Sequence, residues 1–304
     1  MAIFLGIDGG GSKTSCLIGD ETLILGTGTG AASNVVRVGE AQARESLASA
    51  IRQACTVANL KPSEISSVCV GLAGAARPEI SEVVRRIISD LVPGKIKVVG
   101  DTVIALEAAF GSGPGVIVIA GTGSIAYGRN REGQTARAGG WGFAISDEGS
   151  GHWIGRIAVA AALGAWDENP EQNLRLIEVL MKSWRLETIE QLVPAANATP
   201  PPDFAALFPA VLSLAESGDR IARDVLTQAG TQLANLAGIL LRRLFPNPGV
   251  VPVAMSGGVF GSSAQVRQVF YNSLRSGYPD VVINPTVIEP VRGALELARK
   301  GAAK

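Results

Sequence analysis

The sequence predicts an α/β protein made of two copies of one βββαβαβα unit. Apolar runs end twice in glycine-rich turns, in "FLGIDGGGSKT" at residues 4–14 and "VIVIAGTGS" at residues 116–124. Each turn leads into further strand-like segments with only turns between them, which marks an antiparallel meander. Alternating helix and strand patterns then follow, and these imply parallel strands joined by right-handed crossovers.

In chain order, residues 2–8 read as a buried strand, with 13–19 and 22–29 as two more. A helix is expected over about 40–58, a strand at 66–72, a helix at 79–90, a strand at 95–99 and a helix at 101–110. The plan restarts at Val116: "SIAYGRN" and "QTARAG" continue a second meander, and helices fill 148–244. A strand at 250–255, a helix from 261, a strand at 280–284 and a last helix from 290 complete the second unit. The three prolines of "NATPPPD", residues 197–203, remove donors and forbid helix, so this segment is a loop between helices. The expected domains are 1–114, joined by the C-terminal helix 290–304, and 115–289 with a helical insertion. Two copies, each opening on a glycine hairpin, suggest a ligand cleft between them.

Composition narrows the class of partner. The 304 residues are 47% hydrophobic and 18% charged, enough for a sizeable packed core. Lysine plus arginine equal aspartate plus glutamate at 27 each, so no basic field exists to hold nucleic acid, and a small molecule becomes the expected partner. Cys16, Cys55 and Cys69 lack metal-type spacing and sit in apolar segments, as core thiols in a reducing compartment do. No apolar stretch approaches the ~18 residues of a membrane span, and Met1 to Ile7 carries no basic leader, so the expected location is cytoplasmic.

The opening turn is not a Walker loop, because Ser12 intervenes between Gly11 and Lys13 and the next segment reads as strand. "GTGSIA", Gly121 to Ala126, matches a dinucleotide fingerprint in letters, but a turn follows where that motif requires a helix. Two glycine turns between antiparallel strands remain, with Gly9, Gly10, Gly11, Ser12 and Lys13 in the first and Gly121, Thr122 and Gly123 in the second. Such turns can aim successive backbone N–H groups at a phosphate without a helix dipole. Asp8, next to the first turn, is placed to hold magnesium directly or through water. Asp101 ends one strand and begins a helix; it can cap that helix, and it can also accept the proton of an attacking hydroxyl.

The densest polar stretch is "AGGWGFAISDEGSGHWIG", residues 138–155. It holds Gly139, Gly140, Trp141, Asp147, Glu148, Ser150 and the only histidine, His152. Helix capping accounts for Asp147 or Ser150 alone, whereas a loop binding several sugar hydroxyls accounts for the whole concentration. One histidine excludes a His-rich metal site, and no GxSxG elbow supports a serine hydrolase. Asn34, whose amide both donates and accepts, is a further sugar-facing candidate.

Taken together, "GIDGGGSKT", "GDTVIALEAA", "IAGTGS", "GGWGFAISDEGSGHWIG", "AMSGGVF" and "VRGALELA" stand in an order that resembles the BadF/BadG/BcrA/BcrD-type ATPase family, most closely its N-acetylglucosamine and glucosamine kinases. The resemblance implies two ribonuclease-H-like (actin-like ATPase) domains and transfer of the γ-phosphate of ATP to the 6-hydroxyl of an amino sugar. It implies Asp8 and the turn Gly9 to Lys13 at magnesium and phosphate, and Gly121, Thr122 and Gly123 at phosphate. Gly257, Gly258 and Ser262 would flank the adenosine, and Asn34, Asp101, Gly139, Gly140, Trp141 and Asp147 would meet the sugar, with Asp101 as base. N-acetylglucosamine is the expected acceptor, with glucosamine or N-acetylmuramate as alternatives, because Val35, Val36 and Arg37 replace the aromatic that follows Asn34 in animal N-acetylglucosamine kinases.

A homodimer is common in that family. Its acyl-CoA dehydratase activators carry an iron–sulfur cluster on loop cysteines, whereas these three fall in expected strands or a helix. A non-catalytic sugar-binding regulator would need an added DNA-binding domain, and here the first strand begins at residue 2. The two halves are expected to close on their substrates.

Overall fold

The computed structural model describes residues 2–169, 175–246 and 249–302. The chain divides into two compact units, residues 1–117 with 288–304, and residues 118–287.

The first unit runs β1 (Ile3–Gly9), β2 (Lys13–Gly19), β3 (Ile24–Ala31), α1 (Val35–Ala58), β4 (Ile65–Leu72), α2 (Pro78–Ser89), β5 (Lys95–Gly100) and α3 (Asp101–Phe110). The second runs β6 (Gly115–Ala120), β7 (Ser124–Arg129), β8 (Thr135–Gly139), α4 (Gly151–Glu168), α5 (Arg175–Trp184), α6 (Leu192–Ala196), α7 (Phe208–Glu216) and α8 (Arg220–Leu244). It continues through β9 (Val251–Ser256), α9 (Gly258–Ser262), α10 (Ala264–Gly277) and β10 (Val281–Ile288), after which α11 (Pro290–Ala302) returns to the first unit. The sheets are ordered β3-β2-β1-β4-β5 and β10-β9-β6-β7-β8. Read from the far edge, the second repeats the first, so the expected duplication is present at the level of strand order.

Period-two alternation on β1 sorts its side chains to the two faces of the sheet. Ile3, Leu5 and Ile7 pack with Leu47 and Ile51 of α1 and Val84, Ile87 and Ile88 of α2. Phe4 faces the other way, into a cluster with Ile104 of α3 and Val291, Ala294 and Leu295 of α11. Gly6 shares that second face because a Cβ there would lie 2.3 Å from the Leu295 nitrogen. On β3, Gly26, Gly28 and Gly30 alternate beneath α1; added Cβ atoms would stand 2.4, 2.1 and 2.3 Å from the carbonyl oxygens of Ala54, Ala50 and Ser46. The helix backbone therefore rests directly on the strand.

Several boundaries differ from the sequence expectation. The strand expected at 22–29 spans Ile24–Ala31, and the helix expected from 261 starts at Gly258 and breaks at Ser263, whose hydroxyl caps α10. Helix α1 begins at Val35, but Gly39 at φ 79° interrupts it, so the continuous helix does start near residue 40. Asp101 is not the cap of α3; Gly100 is, and Asp101 occupies the first helical position. The 197–203 loop lies between α6 and a short 3-10 turn, Phe204–Leu207, as the prolines require. Residues 170–174 of the expected helical stretch and 303–304 of the last helix lie outside the described residues. Among those described, no helix is long and apolar enough to cross a membrane.

Cys16, Cys55 and Cys69 are free and buried in the core, where burial pushes all three thiols up, Cys69 to about 12. They lie on β2, α1 and β4 rather than on a loop.

Candidate functional site

Each unit gathers its own share of the expected site residues at the ends of its central strands. In the first unit, parallel register places Gly9, Leu72 and Gly100 in one row across β1, β4 and β5. Asp8, one residue before that row, and Asp101, one residue after it, therefore both lie at the strand C-termini, with β4 between their strands, where open α/β sheets bind ligands. Burial and the neighbouring Asp101 charge push the Asp8 carboxyl up to about 7, against the pull of Lys13. Burial also raises the Asp101 carboxyl, opposed by the backbone N–H of Thr102, which donates to its Oδ1 at 2.9 Å. No described residue donates a hydrogen bond to the Asp8 carboxyl. Two buried carboxyls near enough for one charge to raise the other favour a proton or a cation in their neighbourhood.

The glycine turn is fastened beside this pair. Gly10 N–H donates to Lys13 O at 2.9 Å, closing the hairpin, and Gly10 O accepts from the N–H groups of Ser33 and Asn34 at 3.2 Å each. Asn34 is thus brought to the turn while capping α1, its Oδ1 accepting from Val36 N–H at 3.1 Å. Ser33, which the sequence reading passed over, is buried with its hydroxyl 2.7 Å from that of Thr14, which also donates to Ala31 O. A Cβ at Gly9 would lie 2.6 Å from the Ser33 hydroxyl oxygen, so that glycine makes room within the protein. The "GLAGAA" turn after β4 was also missed. Its Ala73 N–H donates to Gly9 O at 3.3 Å, and its glycine at a strand C-terminus was the available signal.

The second unit assembles the remaining candidates. At the β6–β7 turn, Gly121 N–H donates to Gly123 O at 2.9 Å. The turn lies against the start of α4: Gly151 N–H donates to Gly121 O at 2.8 Å and His152 N–H to Thr122 O at 3.2 Å. The first amides of that helix are therefore engaged with carbonyls of the turn. Gly257, at φ 96°, packs so closely on Ala120 that a Cβ would stand 2.3 Å from its carbonyl oxygen. Only glycine satisfies both the handedness and the space there. This contact joins "AMSGGVF" to "IAGTGS", with Gly258 beginning α9 and Ser262 exposed at its end. A Cβ on Gly121 or Gly258 would meet nothing within 4 Å, so each borders open space.

The 138–155 stretch comprises the end of β8, a folded loop at 140–150 and the first residues of α4. Ser150 caps α4, accepting from Trp153 N–H at 3.1 Å, so capping belongs to Ser150 and not to Asp147. Asp147 sits at φ 70°, a rare conformation for a side-chain-bearing residue, and is buried. Burial raises its carboxyl, while the backbone N–H groups of Ser124 and Gly142 donate to it and oppose the rise. A Cβ on Gly123 would lie 2.7 Å from Asp147 Oδ2, so this carboxylate packs directly on the phosphate-turn candidate. Gly139 and Gly140 follow β8 at φ 70° and 69°, with Arg137 donating to Gly139 O at 2.9 Å and lying 3.8 Å over the Trp141 ring. Trp141 nevertheless remains 63% exposed.

A duplicated five-stranded sheet with a glycine hairpin in each copy is the architecture of the actin-like ATPases. A model of the BadF/BadG/BcrA/BcrD ATPase family matches residues 5–298, and the chain belongs to that family. It is 33% identical to an N-acetylmuramic acid/N-acetylglucosamine kinase of Clostridium acetobutylicum, over 98% of this chain and 99% of that one. It is 30% identical to an N-acetyl-D-glucosamine kinase of Dictyostelium discoideum, covering 97% of each. Among solved structures, a candidate N-acetylglucosamine kinase from Chromobacterium violaceum superposes with a TM-score of 0.76 at 28% identity, covering 98% of this chain and 99% of that one.

Proposed function

We propose that the protein is an ATP-dependent amino-sugar kinase that transfers the γ-phosphate to the 6-hydroxyl of N-acetylglucosamine. The observation that carries the reading is that Asp8 and Asp101 lie at the same end of the first sheet, near enough for the Asp101 charge to raise Asp8, with the first glycine turn directly after Asp8. The two kinase relatives, matched along nearly their whole length, support the same class. Asp101 is the general base, and its raised affinity for a proton suits it to accept one from a sugar hydroxyl. Asp8 is the magnesium-side carboxylate, held directly or through water. Its lack of a hydrogen-bond donor fits a cation partner, and a magnesium ion takes few carboxylates and fills its octahedron with water and phosphate oxygens. Such an ion would neutralise charge on the transferring phosphoryl group.

Gly9 to Lys13 and Gly121 to Gly123 are the phosphate turns in this reading, with Gly257, Gly258 and Ser262 at the adenosine. Asn34, Gly139, Gly140, Trp141 and Asp147 orient the sugar. The two compact units serve as the two ribonuclease-H-like domains. The buried free thiols fit a reducing, cytoplasmic setting.

The test is a coupled ADP-release assay with ATP and magnesium across N-acetylglucosamine, N-acetylmuramate, glucosamine and glucose. Turnover that requires magnesium and is highest with N-acetylglucosamine is expected. ADP release indifferent to every sugar removes the proposal.

A further inference from the structure

We propose that Ser33 is a positioning residue: with Thr14 it forms a buried hydroxyl anchor that fixes the first glycine turn and Asn34 as one piece, so that nucleotide and sugar binding depend on the same hydrogen bonds. The roles of the turn and of Asn34 rest on the kinase reading; Ser33 adds to them a residue too buried to meet either substrate.

The hydroxyl chain has one direction. Ser33 and Thr14 are both fully buried, and the Thr14 hydroxyl oxygen lies 2.7 Å from Ala31 O and 2.7 Å from the Ser33 hydroxyl. Thr14 has a single hydroxyl proton, and a carbonyl oxygen can only accept. The Thr14 proton therefore goes to Ala31 O, and the Ser33 hydroxyl donates to Thr14. Strand β2 is thereby fastened both to the end of β3 and to the segment that leads into α1.

The main chain of the same residue reaches the turn. Ser33 N–H and Asn34 N–H both donate to Gly10 O at 3.2 Å, while Gly10 N–H is engaged with Lys13 O at 2.9 Å. A trans peptide sets its N–H opposite its carbonyl. Holding Gly10 O toward residues 33 and 34 thus turns the Gly11 N–H away from them, and that N–H meets no acceptor among the described residues. An outward backbone donor in a glycine turn is the group a phosphate oxygen needs. The side chain closes the contact, since a Cβ on Gly9 would stand 2.6 Å from the Ser33 hydroxyl oxygen. The strand that carries Asp8 therefore ends directly against Ser33. Asn34 is held by its N–H on Gly10 O and by its Oδ1, which accepts from Val36 N–H at 3.1 Å, and this leaves its Nδ2 donors for a ligand. One anchor sets a phosphate donor and an amide donor together.

Steady-state kinetics of wild type, Ser33→Ala, Thr14→Val and Thr14→Ser, with magnesium–ATP and the amino sugar turned over fastest, test this. Ser33→Ala is the mild variant, because Thr14 keeps its bond to Ala31 O. The expected result is a rise of about fivefold in KM for ATP and for sugar alike, with kcat within about twofold of wild type. Thr14→Val, similar in shape but without the hydroxyl, should raise both KM values as well, and Thr14→Ser, which keeps the hydroxyl, should stay near wild type. A merely structural role gives the reverse split, with fewer active molecules lowering kcat at unchanged KM. That reverse split, a rise in only one KM, no effect of Ser33→Ala, failure of Ser33→Ala to fold, or Thr14→Ser behaving like Thr14→Val overturns the anchor. Should Thr14→Val not fold, Ser33→Ala decides alone. Should wild type phosphorylate no sugar, the kinase reading falls separately, and calorimetric titration of magnesium–ATP decides the anchor. Binding weakened about fivefold by Ser33→Ala, with faster amide exchange at residues 9–13 and 33–34, supports it, and absent or unaltered binding overturns it.

Discussion

Asp8 and Asp101 share a neighbourhood but differ in their partners, and that difference separates their roles. The Asp101 carboxyl keeps backbone donors, from Thr102 and from its own N–H, and the Asp8 carboxyl has none among the described residues. Replacing Asp101 by Asn keeps the shape and those hydrogen bonds but removes the proton acceptor. Turnover should fall by about a hundredfold or more, while sugar affinity measured by titration changes little. Near-normal turnover in that variant would show that another group takes the proton.

Asp8 has a signature in stability as well. Its folded value, about 7, lies above its ordinary 3.8, and Asp101 is raised too. The folded chain then binds protons more tightly than the unfolded one, so this contribution to stability is present below about pH 4 and lost as pH rises toward 7. Metal-free protein should melt at progressively lower temperature across that window. Asp8→Asn should flatten the trend and melt higher than wild type at pH 8; an unchanged slope by differential scanning fluorimetry would refute the assignment.

At the scale of elements, close helix contacts depend on individual glycines. Gly293 of α11 lies against α3 so tightly that a Cβ would be 2.0 Å from Ile104 O and 2.6 Å from Ala108 N, all backbone atoms that cannot swing aside. Gly293→Ala should destabilise by about 3 kcal/mol in urea unfolding, at the upper end for overpacking. Gly164 in α4 is the contrast, with nothing within 4 Å of the added carbon. Gly164→Ala should stabilise by about 0.5–1 kcal/mol through helix propensity.

These elements also show what could be read in advance. The strands β2 and β6 and the helix α3 were legible because apolar runs bounded by glycine or an acid give sharp edges. The β3 boundaries slipped because "ILGTGTGA" alternates glycine where a helix backbone sits, and glycine removes the apolar signal that marks a buried face. Ser33 stayed hidden because a lone serine in a polar turn has no pattern; only the Thr14 hydroxyl 19 positions away gives it meaning. Asp147 was legible as important, but its two backbone donors come from residues 23 and 5 positions upstream, beyond any local periodicity.

For the whole molecule, the return of α11 to the first unit is the organising contact. Val291, Leu295 and Leu297 are buried there with Ala294 and Ala298, beside Phe4, Leu17 and Ile104. At about 1.5–3 kcal/mol for each large apolar side chain, those three contribute on the order of 5–9 kcal/mol. That is comparable with the net stability of an entire domain. A chain ending at Glu289 should accordingly lose cooperative unfolding of its first unit, seen as vanished protection of β1 and β4 amides in hydrogen exchange. Retained protection would show that the sheet stands without this helix.

That same helix sets a clock on synthesis. Because the first unit closes with a helix that follows the second unit in the chain, its opening sheet must wait while the whole second unit is translated, on the order of ten seconds or more at cellular elongation rates. During that interval the surface meant for α11, with Phe4 and Ile104 at its centre, is uncovered in the nascent chain. Until α11 emerges, that apolar surface is open to non-native contacts.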